Sequence, residues 1–370
     1  MFETGYTCPS GANMVELPPT PPNPTVEAIY KHYETNNGDW RRNHLGASLI
    51  GQDCERKLWY TFRWATKPKF DGRLLRLFQT GNREEPRLIK NLRDIGITVW
   101  NCDPDSGMQI YYSDLGGHFS GSLDGIGVGF KESKQYHVLE FKTSNTKGFE
   151  RLASKGVEVA KFEHFCQMQM YMHWSGVDRA FYFCVNKETD EIYSERIPYR
   201  KETALRLTSK AERVIFANTP SFQAGGGDTD FRCRFCDHKE ICHGTKLPEV
   251  NCRTCAYADP LEDGTWQCCR DKHIIDPFDQ RKAHPCHIFV PVFVKLTQTD
   301  ADPEKGWIMY GEITNGPGAT VSTKLQAVID GMGEKETPSS SCNCEMSAVS
   351  RIINREPDMS GVAYDTEFTG

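Results

Sequence analysis

The sequence predicts an α/β protein, a mixed central sheet flanked by helices, with a small cysteine-rich metal-binding lobe added to it. Two observations predict the layered core. Apolar residues recur at helical intervals up to about residue 93, then alternate as they do in strands, and the two periods take turns afterwards. A third observation predicts the lobe. Of 15 cysteines, three fall within residues 233–242 and five within 252–286.

The elements follow in order. Residues 1–25 include "LPPTPPNPT", where proline at this density opposes helix and central strand, so a flexible leader is expected. Helical patterns run from Val26. In "ASLIGQDCERKLWYTFRW", Ser48 is placed to cap, and Leu49, Cys54, Leu58 and Phe62 recur at helical spacing. "LLRLFQTGNREEPRLIKNLRDIG" reads as a further helix, with a possible break at Gly81 and an end at Gly96. "MQIYYS", "HFSGSLDGIGVGF" and "YHVLEFKTS" read as strands separated by turn residues. A helix near "FEHFCQMQMYMHW", strands "RAFYFCVNK" and "EIYSERIPY", and a helix from about Lys201 to Ala217 complete the core. "WIMYGEITNGPGATVS" suggests a hairpin turning at Asn315-Gly316. The expected organisation is leader 1–25, core 26–245, lobe 246–296, and a hairpin region with an acidic flexible tail over 297–370.

With 370 residues, 38% hydrophobic and 25% charged, the chain can bury one substantial core and one or two small units. No apolar run approaches the roughly 18 residues of a membrane span, and "CHIFVPVFV" is short and contains Pro291. The start lacks a signal-peptide pattern. A cytoplasmic setting is therefore expected, in a bacterial cell or a phage-infected host, where cysteines ligate metals rather than pair. The net charge of −6 is uneven. Residues 40–93 hold 13 Lys/Arg against 5 Asp/Glu, and residues 298–370 hold 5 against 12. The basic stretch suits either a phosphate-facing surface or a solvated helix face.

"VLEFKTS" places Glu140 and Lys142 two apart on one strand, hence on one face, among apolar neighbours. A carboxylate and an ammonium near a core need partners. One strand earlier, "GSLDGIG" carries Asp124 among glycines, where backbone can approach a ligand closely. Together these oxygens suit a hard divalent cation. A buried Glu–Lys pair with an unrelated turn aspartate fits the same residues. Downstream, Gln167 and Tyr171 of "QMQMY" fall i, i+4 on one helix face, as packing or as site residues.

In this order the residues resemble the PD-(D/E)XK nuclease superfamily, whose restriction-endonuclease-like core runs helix, three strands, helix, strand. The resemblance covers about residues 40–245. It maps the acidic and lysine positions onto Asp124, Glu140 and Lys142, and Gln167/Tyr171 onto the Q-x-x-x-Y motif of the RecB-like and YqaJ-like branches. It implies Mg²⁺ or Mn²⁺ held by Asp124, Glu140 and the Phe141 carbonyl, with Lys142 on the attacking water and Gln167 and Tyr171 positioning phosphate. A carboxylate from the first core helix is also implied, and Glu85 is favoured over Glu84. The histidine common there in RecB-like relatives is lacking.

"FRCRFCDHKEICHG" spaces Cys233, Cys236 and Cys242 as C-x2-C-x5-C. In RecB-like nucleases with iron–sulfur clusters such a triplet is completed by a cysteine far upstream, and Cys54 in "LIGQDCERKLWYTF" fits. The resemblance implies a 4Fe–4S cluster on Cys54, Cys233, Cys236 and Cys242. Zinc on the triplet plus His238 or His243 remains open. The second stretch is zinc-ribbon-like, with Cys252, Cys255, Cys268 and Cys286 as ligands and Cys269 or His287 as substitutes. Cys342 and Cys344 form an isolated C-x-C.

No G-x4-G-K-[ST] loop is present, so a stand-alone nuclease is expected rather than a helicase fusion. The resemblance implies a metal-dependent DNA exonuclease acting at ends, in phage or prophage recombination with a single-strand annealing protein. Two other readings remain: a CRISPR-adaptation-type end trimmer, and a non-catalytic, metal-stapled DNA-binding or assembly protein. Oligomeric state is not legible.

Overall fold

A computed structural model describes residues 23–39, 41–221, 223–244, 246–282, 284, 287–294, 300–302, 307–310 and 313–315. The helices are α1 (Pro24–Thr35), α2 (Glu55–Phe62), α3 (Gly72–Asp94), α4 (Thr146–Ala160), α5 (Phe162–Ser175), α6 (Lys201–Phe216) and the single turn α7 (Lys239–Cys242). The strands of the first part are β1 (Leu45–Gly46), β2 (Thr98–Trp100), β3 (Tyr111–Asp114), β4 (Phe119–Ser122), β5 (Gly125–Val128), β6 (His137–Ser144), β7 (Arg179–Asn186) and β8 (Ile192–Pro198). Later come β9 (Ala258–Pro260), β10 (Trp266–Cys268), β11 (His273–Ile274), β12 (Asp300–Asp302), β13 (Trp307–Tyr310) and β14 (Ile313–Asn315).

The chain divides into two units. The smaller holds the described residues up to Asp39 together with Lys69–Thr80. Its α1 starts inside the expected leader. Asn23 caps it by accepting from the Thr25 and Val26 amides, and Pro24 occupies the first turn, where a missing N–H costs nothing. The Tyr33 hydroxyl donates to Gln79 Oε1 at 2.7 Å, and the Gly72 amide donates to Glu34 Oε1 at 2.8 Å.

The larger unit is built on a five-stranded sheet of order β2-β5-β6-β7-β8. β6 and β7 pair in parallel and the other neighbours antiparallel, so the sheet is mixed as expected. Period-two alternation along β6 sends Leu139 and Phe141 to one side, where they pack with Leu88, Ile89 and Leu92 of α3. Val138 faces the other way, into a core shared with α2, α5 and α6. Glu140 and Lys142 share Val138's parity and therefore point toward α5.

Several elements differ from the sequence expectation. α2 begins at Glu55 with Cys54 as its N-cap residue, and Ser48–Gly51 form turns instead of helix. Gly51 lies so close to α5 that a Cβ there would stand 2.7 Å from the Glu163 Cα, so this segment is shaped by a tertiary contact. α3 runs unbroken past Gly81 and Pro86, its apolar face Leu88–Ile89–Leu92 buried against the sheet. α4 was not anticipated; Gly148 and Gly156 dilute its pattern, and Gly156 has non-helical dihedrals (φ 71°, ψ 169°). β13 and β14 do pair antiparallel, Ile308 with Asn315 and Tyr310 with Ile313, so Asn315 is a strand residue and not the turn expected.

Residues 250–294 add the antiparallel sheet β11-β10-β9. Its apolar residues Ala258, Trp266, Ile275, Ile288 and Phe289 belong to the same buried cluster as Leu58 and Trp59 of α2. Two fully buried arginines join these parts. Arg63 donates to the Arg253 and Ala258 carbonyls at 3.2 Å, and Arg253 donates to the Phe62 carbonyl at 3.0 Å. Arg63 therefore serves the core, and the basic stretch over 40–93 offers one surface cation fewer than its composition suggests. The tail expectation, Cys286, Cys342 and Cys344 lie outside the described residues. Among the described residues no helix is long and apolar enough to cross a membrane.

Candidate active site

β6 carries the centre of the site. Glu140 is fully buried, Lys142 is partly exposed at its rim, and the lysine ammonium donates to Glu140 Oε1 and, at 3.3 Å, to the Phe141 carbonyl. These acceptors are two of the oxygens expected to hold a divalent cation, so the ammonium stands in for positive charge at that position. Glu140 Oε2 is buried and has no hydrogen-bond partner. A buried carboxylate oxygen without a partner is costly, and a cation beside it would relieve the cost.

Asp124 reaches the same place because the chain breaks between β4 and β5. Gly125 pairs with Leu139, so Asp124 falls beside Glu140, and its Oδ2 accepts from the Phe141 amide at 2.7 Å. Glu85 enters from α3 and Gln167 and Tyr171 from α5, all lining one cleft of about 680 Å³ with Asp124, Phe141 and Lys142. The Gln167 amide donates to the Tyr171 hydroxyl at 3.1 Å. Gly121 of β4 makes room for that tyrosine, since a Cβ there would lie 2.7 Å from its ring. Gln169, two residues on, turns away and pairs with the Pro198 carbonyl and the Arg200 amide.

Electrostatics follows from three carboxylates and one ammonium in a desolvated space. Burial pushes the Glu140 carboxyl up to about 7, a rise that Lys142 opposes and Asp124 reinforces. Burial also raises Asp124 and Glu85, and the Asp124 charge adds to the rise at Glu85. Burial works against the charged form of Lys142, yet Glu140 and Asp124 together hold it protonated. Such a cluster lowers the energy of an added cation. Glu84 also reaches the cleft but is engaged by Arg87 at 3.3 Å, which in turn pairs with Asp190. That leaves Glu85 as the α3 carboxylate coupled to Asp124.

Sequence reading missed Arg42, Ser48, Gln109 and His164, which also line the cleft. Arg42 Nη1 lies 3.4 Å from the Ser48 hydroxyl. His164 Nδ1 lies 2.9 Å from the Tyr182 hydroxyl, and burial followed by Lys142 and Lys161 pushes its pKa down to about 3. None belongs to a recognisable spacing; only folding brings residues 42–48 to α5.

The cysteines form two separate groups. Burial raises the Cys233 thiol pKa, and Asp230, Cys242, Cys236 and Cys54 add to the rise, so the four thiols are electrostatic neighbours despite the 179 positions between Cys54 and Cys233. His243 Nε2 lies 3.3 Å from Cys233 Sγ. His238 is turned into the core, its ring nitrogens 2.9 and 2.8 Å from the Thr61 and Thr66 hydroxyls, so it is already committed. In the second group Cys252, Cys255 and Cys268 line a small cavity with His273, His284 and His287. Among the described residues Cys268, Asp271 and His273 bring ligand atoms within 4.8 Å of one another. Cys269 points elsewhere and donates to Asp259 Oδ2 at 3.0 Å.

No family model matches the chain, and no curated protein does. Among solved structures it is similar to the crystal structure of SSO0001 at 17% identity and a TM-score of 0.36, covering 60% of this chain and 96% of that one. It is also similar to an alkaline exonuclease (LHK-Exo) from Laribacter hongkongensis at 15% identity and a TM-score of 0.36, covering 50% and 90%. The structure of LHK-Exo in complex with dAMP gives 15%, 0.33, 51% and 90%.

Proposed function

We propose that this protein is a metal-dependent deoxyribonuclease that hydrolyses phosphodiester bonds at DNA ends. The observation that carries the reading is the convergence of Glu85, Asp124, Lys142, Gln167 and Tyr171 on one cleft, with Glu140 buried against Lys142 and one of its oxygens lacking any partner. Asp124, Glu140 and the Phe141 carbonyl would hold Mg²⁺ or Mn²⁺, with Glu85 assisting. When bound, such an ion activates water and offsets phosphoryl charge. Lys142, fixed by Glu140, orients the attacking water and donates to a phosphoryl oxygen as negative charge builds there. Gln167 and Tyr171, bonded to each other, position the phosphate, and Arg42 beside Ser48 adds hydrogen-bond donors in the cleft. Recombination or repair alongside a single-strand annealing protein is the setting that suits an end-resecting enzyme.

Cys54, Cys233, Cys236 and Cys242 would hold a 4Fe–4S cluster. Zinc on Cys233, Cys236 and Cys242 with His243, whose Nε2 lies 3.3 Å from Cys233 Sγ, is the alternative. Cys252, Cys255 and Cys268, with Cys286, would hold zinc.

The test is digestion of end-labelled linear and closed circular DNA with Mn²⁺. The wild type should degrade linear DNA and spare the circle. Glu140→Gln and Lys142→Ala should each lose about 10³-fold or more in rate while keeping wild-type circular dichroism. Intact linear DNA with the wild type would leave the non-catalytic DNA-binding or assembly reading.

A further inference from the structure

The two most exposed large hydrophobic side chains among the described residues are Phe231 and Phe235, 80% and 85% accessible. Both sit in the loop that carries Cys233 and Cys236. Leaving a phenylalanine in water forgoes about 1.5–3 kcal/mol of burial, and here two stand four positions apart on a segment whose thiols the fold gathers. Each ring has a guanidinium over it: Arg232 at 5.7 Å from the Phe231 centroid and Arg234 at 5.4 Å from the Phe235 centroid. Arg232 is held by a fork of bonds to both Asp230 carboxylate oxygens. Lys57 of α2 adds positive charge near Cys236.

Rings presented with cations in this way suit one ligand chemistry. Unpaired nucleobases stack on aromatic faces, while their phosphates need the positive charge beside them. A purely apolar partner would strand Arg234, and a duplex presents no free base faces. We propose that the Phe231–Phe235 loop is a stacking platform for single-stranded DNA, outside the catalytic cleft. Phe231 and Phe235 take two bases and Arg234 takes an intervening phosphate. A metal group held by Cys54, Cys233, Cys236 and Cys242 would act as a rigid mount for the platform. The strand's identity as DNA rests on the proposed function; the stacking geometry does not.

The test uses full-length protein carrying Glu140→Gln, so that binding is read without cleavage. Fluorescence anisotropy of a labelled oligo-dT should report saturable binding. Phe231→Ala with Phe235→Ala should weaken it at least tenfold with an unchanged slope of log Kd against log salt. Arg234→Ala should reduce that slope by about one. Phe235→Trp should restore affinity, and its fluorescence should be quenched on binding. Metal content and circular dichroism matching the parent show that the loop is still mounted. Equal affinity in the double alanine variant overturns the proposal, as does an oligonucleotide that fails to bind the parent. Loss of a dimer in sedimentation of the double variant, without change in DNA affinity, would instead assign the patch to a second copy and also overturn it. If the cleft is not a nuclease but the platform still binds, only the catalytic reading fails.

Discussion

Arg253 is the substitution whose cost can be worked out most directly. Its guanidinium is fully buried with no carboxylate among its bonded partners: Nε donates to Gln280 Oε1 at 2.9 Å, Nη1 to the Phe62 carbonyl at 3.0 Å, and Nη2 to the Asn43 carbonyl at 3.0 Å. It lies 3.8 Å from the centroid of Trp64 and 4.7 Å from that of Trp266. Burial and the charges of Arg63, Arg281 and Arg41 drive its pKa well down, so only this geometry keeps the charge in place. Arg253→Lys retains a cation but not the planar fork, and one ammonium cannot meet three acceptors that lie in different directions. Two acceptors left unpaired cost about 1–3 kcal/mol each, and lost stacking adds about 0.5–2. A total of about 2.5–8 kcal/mol is expected, against about 5–15 for a whole domain. Arg253→Ala should cost more, because it also leaves a cavity. Urea denaturation followed by tryptophan fluorescence measures this. The proposed nuclease activity should fall alongside stability, because Asn43 lies between Arg42 and His44 of the cleft. A lysine variant within about 0.5 kcal/mol of wild type, near the uncertainty of independent substitutions, would refute the reasoning.

Three further outcomes are expected. Cys54→Ser should lose iron and visible absorbance in anaerobically purified protein as completely as Cys236→Ser; unchanged metal content in Cys54→Ser would return the triplet to a local zinc site. Cys268→Ser should lose zinc while Cys269→Ser keeps it, since Cys269 is turned to Asp259; equal loss in both, by metal analysis, would count against the assignment. His164 and His44 have folded pKa values pushed down to about 3 and about 4, below the ordinary 6.5. The unfolded chain therefore binds protons first as pH falls, and stability should drop from pH 6.5 toward 4, by up to about 1.4 kcal/mol per pH unit for His164 and by less for the more exposed His44. His164→Gln should flatten that slope in denaturation measured from pH 7 to 5, and an unchanged slope would show that His164 does not contribute.

Local chemistry was enough to place the candidate residues on shared faces. Glu140 and Lys142 share a face because strand side chains alternate, and Gln167 and Tyr171 share one because a helix turns every 3.6 residues. Periodicity and turn residues were enough for β6, α5, β7, β8 and α6 in order, but not for β2 or for the division of residues 118–130 into β4 and β5. Glycine-diluted α4 and the true start of α2 were not legible, because packing against α5 and the sheet overrides weak propensity there. The hairpin turn was misplaced because Asn315-Gly316 is a strong local signal, while register is set by pairing across strands.

What the sequence alone determined, then, is the layered α/β class, the metal-capable residue types and the faces on which they lie. Only the tertiary structure decided which of them meet. It brought Asp124 to the Phe141 amide, engaged Glu84 with Arg87 while leaving Glu85 facing the cleft, turned His238 into the core, put Cys54 within electrostatic reach of Cys233, and faced Cys268 to a cavity while sending Cys269 to Asp259. The physical reason is that periodicity fixes direction over a few residues, whereas proximity across tens or hundreds of positions depends on how whole elements pack.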